Sequence, residues 1–172
     1  DVLVENFKTG TMEKFGLGYE TMRAINPRLV YTSISAFGRT GPKAGDPGYE
    51  ALVQAYSGVM DMTGFPDGPP VRCGVSFLDM STGISAALAT VSTLLRRERT
   101  GLGGQAEASL LQTALGLMTV QVSSFFQDQV QPRRIGTAHP SVVPYQAFAT
   151  ADGNLFIAAA NQNLWERLCH VL

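Results

Sequence analysis

Apolar positions along this chain recur with two periods, and the switches between them outline an alternating α/β pattern. Val2, Leu3 and Val4 form a short apolar run that reads as the end of a buried strand. "GYETMRAINPRLVYTSIS" predicts a short helix stopped at Asn26-Pro27, then a strand from about Leu29 to Ser35. A helix between two apolar strands predicts a βαβ unit and a parallel sheet. The Gly/Pro-rich "AFGRTGPKAGDPG" is a loop at the C-terminal end of that strand, where open α/β sheets bind ligands. "YEALVQAYSGVM" reads as helical and "TGFPDGPP" as a turn cluster. Ile84, Ala87, Leu88, Val91, Leu94 and Leu95 keep helical spacing, predicting a helix from about Asp79 to Arg99, ended by Thr100-Gly101. A strand around Gln105–Ser109, an apolar helix over about Leu110–Phe126 and the loop "QPRRIGTAHPSVVPY" follow. "QAFATADGNLFIAAA" then predicts a hairpin with Asp152-Gly153 at its tip.

Composition narrows the class. The chain has 172 residues, 45% hydrophobic and 16% charged, with a net charge of −1, which suits one ordinary domain or a large piece of one. That balance argues against nucleic acid or a membrane surface as partner. The basic run "LLRRERTG" falls at a predicted helix C-terminus, where cations complement the dipole. No segment is expected to span a bilayer, and no signal-peptide pattern is present. Cys73 and Cys169 lie far apart without a CxxC or Cys/His cluster, so buried free thiols, a reducing compartment and no metal are expected. "DVLVENF" and "NLWERLCHVL" read as interrupted elements, so the chain is expected to be part of a longer protein.

Candidate chemistry centres on Asp79 in "VSFLDMSTGISAAL", one carboxylate among apolar or small residues. An isolated buried carboxylate is costly, so it is capped, paired or used. The first possibility is an N-cap, its oxygen accepting from the first helical turn. "GLGGQA" fits G-x-G-x-x-A, but it follows a helix and precedes a strand, the reverse of a dinucleotide site, so it reads as a turn. No G-x-S-x-G elbow exists, and neither His139 nor His170 has triad partners. His139, in a Gly/Pro-bounded loop, either meets a ligand or fixes its own loop. "ENFKTGTMEKFG" sets Asn6, Phe7, Lys8 and Lys14 past a strand end, where an amide, an aromatic face and two cations suit adenine and phosphates. Ordinary solvated lysines are the competing reading.

"DVLVENFKTGTMEKFGL", "NPRLVYTSISAFGRTGP", "PGYEALVQAYSGVMDMTGFPDGPPVRCGV", "DMSTG" and "RRERTGLGGQAEASLLQTAL", in this order and spacing, resemble the family III CoA-transferases of CaiB/BaiF type. "GTAHPSVVPYQAFATADGNLFIAAANQ" extends the likeness, closest to the dicarboxylate-handling, succinyl-CoA:glutarate-type branch. The resemblance implies an α/β fold with a Rossmann-like parallel sheet. Residues 1–128 would be part of a large CoA-binding domain, and residues 129–172 a linker and the start of a smaller α+β domain. It implies Asp79 as the catalytic group, opening the family's D-x-x-x-G stretch, in place of the cap reading. It implies CoA contacts from Asn6, Phe7, Lys8 and Lys14, where Lys14 replaces a frequent arginine and offers a point charge in place of a fork. Asp46, Pro47, Gly48, Tyr49 and Glu50 match a second CoA- and site-lining segment, and His139 falls near the acyl end, with Arg133 and Arg134 close by in sequence. Related α-methylacyl-CoA racemases carry a histidine near Gly45, and glycine cannot move a proton. A racemase or a non-catalytic CoA-binding remnant are the alternatives.

CoA exchange between two acids needs no metal, redox or prosthetic group, with CoA itself entering as substrate. It needs a nucleophile that holds first an acyl group and then CoA. An interlocked homodimer and a cytoplasmic location, mitochondrial in a eukaryote, complete the expectation that the resemblance implies.

Overall fold

A computed structural model describes residues 1–172. The chain divides into two compact units, Asp1–Val59 with Arg72–Val130, and Met60–Val71 with Gln131–Leu172.

The first unit is built on a parallel sheet of order β1-β2-β3, from β1 (Val2–Glu5), β2 (Val30–Ser35) and β3 (Gly104–Ser109). Val2 pairs with Val30, and Val30 in turn with Gly104. Between β1 and β2 run α1 (Thr11–Lys14) and α2 (Tyr19–Ile25), the latter ending at Asn26 before proline. Met12, Leu29 and Tyr31 form a buried cluster against which Leu3, Tyr19 and Met22 pack. Burial raises the Tyr31 pKa above its ordinary value, and its hydroxyl donates to the Leu17 carbonyl. β1 departs from the expected buried strand, because Val2 and Val4 are exposed. They alternate with Leu3, which packs against the Met12 cluster, so the two valines share the opposite sheet face, left open here.

α3 (Glu50–Tyr56) and the short α4 (Val59–Met62) precede α5 (Phe77–Thr100), the helix that covers the sheet. Leu78, Thr82 and Ala86 form its buried face, and the Thr90 hydroxyl shares a hydrogen bond with that of Thr32 on β2. α5 starts two residues before the predicted position, so Asp79 lies inside the first turn and Ser76 is the N-cap. By length and composition α5 is also apolar enough to cross a membrane, contrary to the expectation from sequence. Its Ala, Leu, Ile and Val residues raise the average, while Leu78, Thr82 and Ala86 form the face packed in this chain.

Gly101 ends α5 at φ 77°, and a Cβ on Gly103 would stand 2.0 Å from the Leu29 carbonyl oxygen. "GLGGQA" is thus a helix stop and a close backbone approach. The predicted single helix after β3 is two, α6 (Leu110–Leu117) and α7 (Thr119–Asp128), because Met118 at φ −87°, ψ 29° leaves the helical path. Ser109 caps α6 by accepting from the Gln112 N–H at 3.2 Å.

The second unit holds the antiparallel hairpin of β4 (Tyr145–Ala149) and β5 (Asn154–Ala158), and α8 (Gln162–Val171). Arg134 bonds the Asp61 carboxylate and carbonyl, tying the 60–71 segment to 131–136. Cys169 is exposed and Cys73 half-buried, both free, so the expected burial of both thiols does not hold.

Candidate active site

The loops after β1 and β2, the start of α3 and the first turns of α5 converge in the first unit. They enclose a cavity of about 700 Å³ lined by Asn6, Ser35, Gly48, Glu50, Arg72 and Asp79, among others. It opens at the C-terminal ends of the parallel strands, where such sheets present ligands. A second cavity of about 310 Å³ lies on the far side of α5 between Ser81, Ser85 and Gln112, and carries no ionisable group but Glu107.

Asp79 is exposed in the larger cavity and forms no hydrogen bond or ion pair within the chain. The structure therefore removes the cap reading. Ser76 occupies the cap position, yet its hydroxyl accepts from Arg72 Nη2 at 3.3 Å and bonds no helix amide. The first-turn N–H groups beside Asp79 thus have no side-chain acceptor.

Behind this cavity lies a polar relay that the sequence did not announce. Glu50 is 5% exposed, and its Oε1 accepts from Gln54 Nε2 at 2.5 Å. Gln54 is fully buried, and its Oε1 accepts from the Cys73 N–H at 2.9 Å. Arg72 Nε pairs with Glu50 Oε2 at 3.4 Å, and that oxygen has no hydrogen bond. One amide therefore holds both the buried carboxylate and the strap that leads into α5.

The segment after β1 faces an adjoining hollow of about 240 Å³, lined by Asn6, Phe7, Lys8, Phe37, Asp46, Pro47, Gly48 and Tyr49. Glu5 fixes its approach: the buried carboxylate pairs with Arg39 and accepts from the Phe7 N–H at 3.0 Å. Gly48 lines both spaces, and a Cβ there would stand 2.7 Å from Ala36 Cβ and 3.2 Å from the Phe37 ring. Asp46 gives its carboxylate to Lys43 at 3.0 Å, a bond that raises the Lys43 pKa. Lys43 Nζ also stands 5.1 Å from the Tyr56 ring and 5.5 Å from the Phe37 ring. Lys14 ends α1, exposed and outside both spaces.

In the second unit, His139 Nδ1 accepts from the Ser141 N–H at 3.2 Å, and its ring meets Tyr145 edge-on at 5.3 Å. The backbone N–H of His139 also donates to the Tyr145 carbonyl at 3.0 Å. This histidine braces its own loop. No three His, Cys, Asp or Glu side chains come together as a metal site.

A parallel sheet with a cavity at its strand ends, and an unpaired carboxylate in the first turn of the covering helix, defines an α/β protein with a carboxylate facing that cavity. The chain belongs to CoA-transferase family III, which it matches over residues 1–172. It is 41% identical over 172 residues to the succinate–glutarate CoA-transferase of Agrobacterium fabrum, covering all of this chain and 43% of that protein. It is 43% identical over 172 residues to an acyl-CoA transferase of Fusarium pseudograminearum, covering all of this chain and 38% of that one. The crystal structure of a CaiB/BaiF family protein from Brucella suis matches with a TM-score of 0.85 at 40% identity, over 99% of this chain and 45% of the other. The chain thus spans less than half the length of each of these relatives.

Proposed function

We propose that the whole protein transfers CoA from an acyl-CoA donor to a carboxylic acid, with Asp79 as covalent nucleophile. The observation that carries this reading is Asp79 itself, unbonded in a cavity at the strand ends of a family III chain. Its carboxylate attacks the donor thioester carbonyl, forming a mixed anhydride and expelling CoA thiolate. The thiolate attacks the aspartyl carbonyl, giving an aspartyl-CoA thioester and the free first acid. The acceptor carboxylate then attacks this thioester, and the returning thiolate takes the new acyl group and restores Asp79. The first-turn N–H groups of α5, left without a side-chain acceptor, suit the developing oxyanions.

CoA lies along Asn6, Phe7, Lys8 and the Asp46–Glu50 segment in this reading, with Lys14 at its margin. The acceptor is a dicarboxylate, as the name of the Agrobacterium fabrum relative supports for that protein, and His139 takes part in its recognition. An interlocked homodimer completes the assignment. The exposed apolar row Met80, Ile84, Leu88, Val91 and Leu95 on α5 supports burial of that face in the whole protein. The racemase alternative finds no proton-carrying side chain at Gly45.

Asp79→Asn and Asp79→Ala test the assignment in the whole protein. Turnover should vanish, while loss of a charge in a first helical turn costs only about 0.3–1 kcal/mol. Retained turnover in either variant refutes the covalent role.

A further inference from the structure

Among the residues lining the Asp79 cavity, Arg72 supplies the one cation. Its side chain is 42% exposed, whereas Glu50 beneath it is 6% exposed by the same side-chain measure. Nε pairs with Glu50 at 3.4 Å and Nη2 donates to Ser76 at 3.3 Å, which leaves Nη1 without a partner in the chain. Ser76 is the N-cap of the helix whose first turn carries Asp79, so the guanidinium is held at that turn. Glu50 Oε2, buried and without a hydrogen bond, faces the guanidinium and fixes its orientation.

We propose that Arg72 anchors the reacting carboxylate of the acid acceptor. This rests on the proposed transfer through Asp79. An acid entering the cavity brings a negative charge toward Glu50 and toward the aspartyl group, and repulsion opposes its approach. Once Asp79 is a thioester its own charge is gone, and the remaining ionised pair is Glu50 and Arg72. The incoming carboxylate then accepts from the free edge of the guanidinium, whose planar donors suit it. Because the guanidinium is bound to Ser76, three residues before Asp79, the anchored carboxylate is brought toward the turn that carries the aspartyl carbonyl. The anchor holds the carboxylate that reacts, so it serves every acid the protein accepts.

The test measures wild-type protein, Arg72→Gln and Arg72→Lys, each in the whole protein, with succinyl-CoA as donor and glutarate as acceptor. Arg72→Gln should raise the glutarate KM about ten- to a hundredfold, the loss of one charge-assisted hydrogen-bonded contact. The succinyl-CoA KM should stay within about threefold of wild type, and the aspartyl-CoA thioester should still form when acceptor is withheld. Arg72→Lys, with a charge but no fork, should recover part of the loss. An unchanged glutarate KM overturns the proposal, and so does a succinyl-CoA KM that rises in step, because Arg72 then only holds the strap into α5. If Arg72→Gln fails to fold, Arg72→Lys decides by the same split: a rise confined to glutarate supports the anchor, and none overturns it. Wild-type protein without transfer, or full turnover in Asp79→Ala, would sink the underlying reading first and the anchor with it.

Discussion

Gln54→Leu is the perturbation on which the architecture of the cavity depends most. The side chain is fully buried and bridges Glu50 Oε1 at 2.5 Å to the Cys73 N–H at 2.9 Å. Leucine fills similar volume but removes both bonds. The bond to the carboxylate is charge-assisted and contributes about 1.5–3 kcal/mol, and the stranded backbone N–H costs about 1–3 kcal/mol more. Extra apolar burial returns about 1 kcal/mol. The expected destabilisation is about 1.5–5 kcal/mol, read as a fall in the urea midpoint at constant slope. Gln54→Glu should also destabilise at neutral pH, by setting a second carboxylate against Glu50. That penalty should shrink as the pH falls and one of the two takes a proton. A loss below about 1 kcal/mol for Gln54→Leu would refute the claim that this amide holds the strap leading to Asp79.

Four further substitutions test the proposed contacts. Gly48→Ala sets a methyl 2.7 Å from Ala36 Cβ, so it should cost about 1–3 kcal/mol and weaken CoA binding, and a neutral thermal melt contradicts that packing. Lys8→Glu should weaken CoA binding measured by calorimetry, more so at low ionic strength, whereas Lys14→Glu should do less because it lies outside the hollow. A larger effect at Lys14 would move the phosphates to α1. His139→Ala should raise the KM for glutarate more than for a monocarboxylate of similar length, and equal changes leave His139 as a brace for its loop.

Much of the first unit was legible along the chain. The two apolar strands flanking a proline-stopped helix specify the parallel pair β1-β2, and the heptad-like row from Ile84 to Leu95 specifies α5. The start of α5 was misread because Asp79 is a strong cap former. Yet Ser76-Phe77-Leu78-Asp79 has an acid three residues after a serine, the spacing of a helix start. The break at Met118 left no trace, because apolar positions continue through it on both sides. Local pattern also could not reveal the Glu50–Gln54–Arg72 relay. Gln54 and Cys73 are 19 residues apart and meet only because the turn cluster between them folds back. Glu50 and Gln54, one helical turn apart, were the available signal, as paired polar residues in an otherwise apolar segment. The exposure of Val2, Val4 and the Cys169 thiol was misjudged because apolar character measures the tendency to bury a residue, and says nothing about which neighbours are present.

The most direct test of Asp79 as covalent nucleophile follows oxygen. The whole protein would be turned over with succinyl-CoA and glutarate whose carboxylates carry heavy oxygen. The tryptic peptide from Cys73 to Arg96, which contains Asp79, would then be weighed and fragmented. Attack of the acceptor on an aspartyl thioester leaves one acceptor oxygen on the aspartate when the anhydride resolves, so heavy oxygen should accumulate on Asp79 and require both substrates. Turnover to labelled glutaryl-CoA with an unlabelled Asp79 would contradict the account.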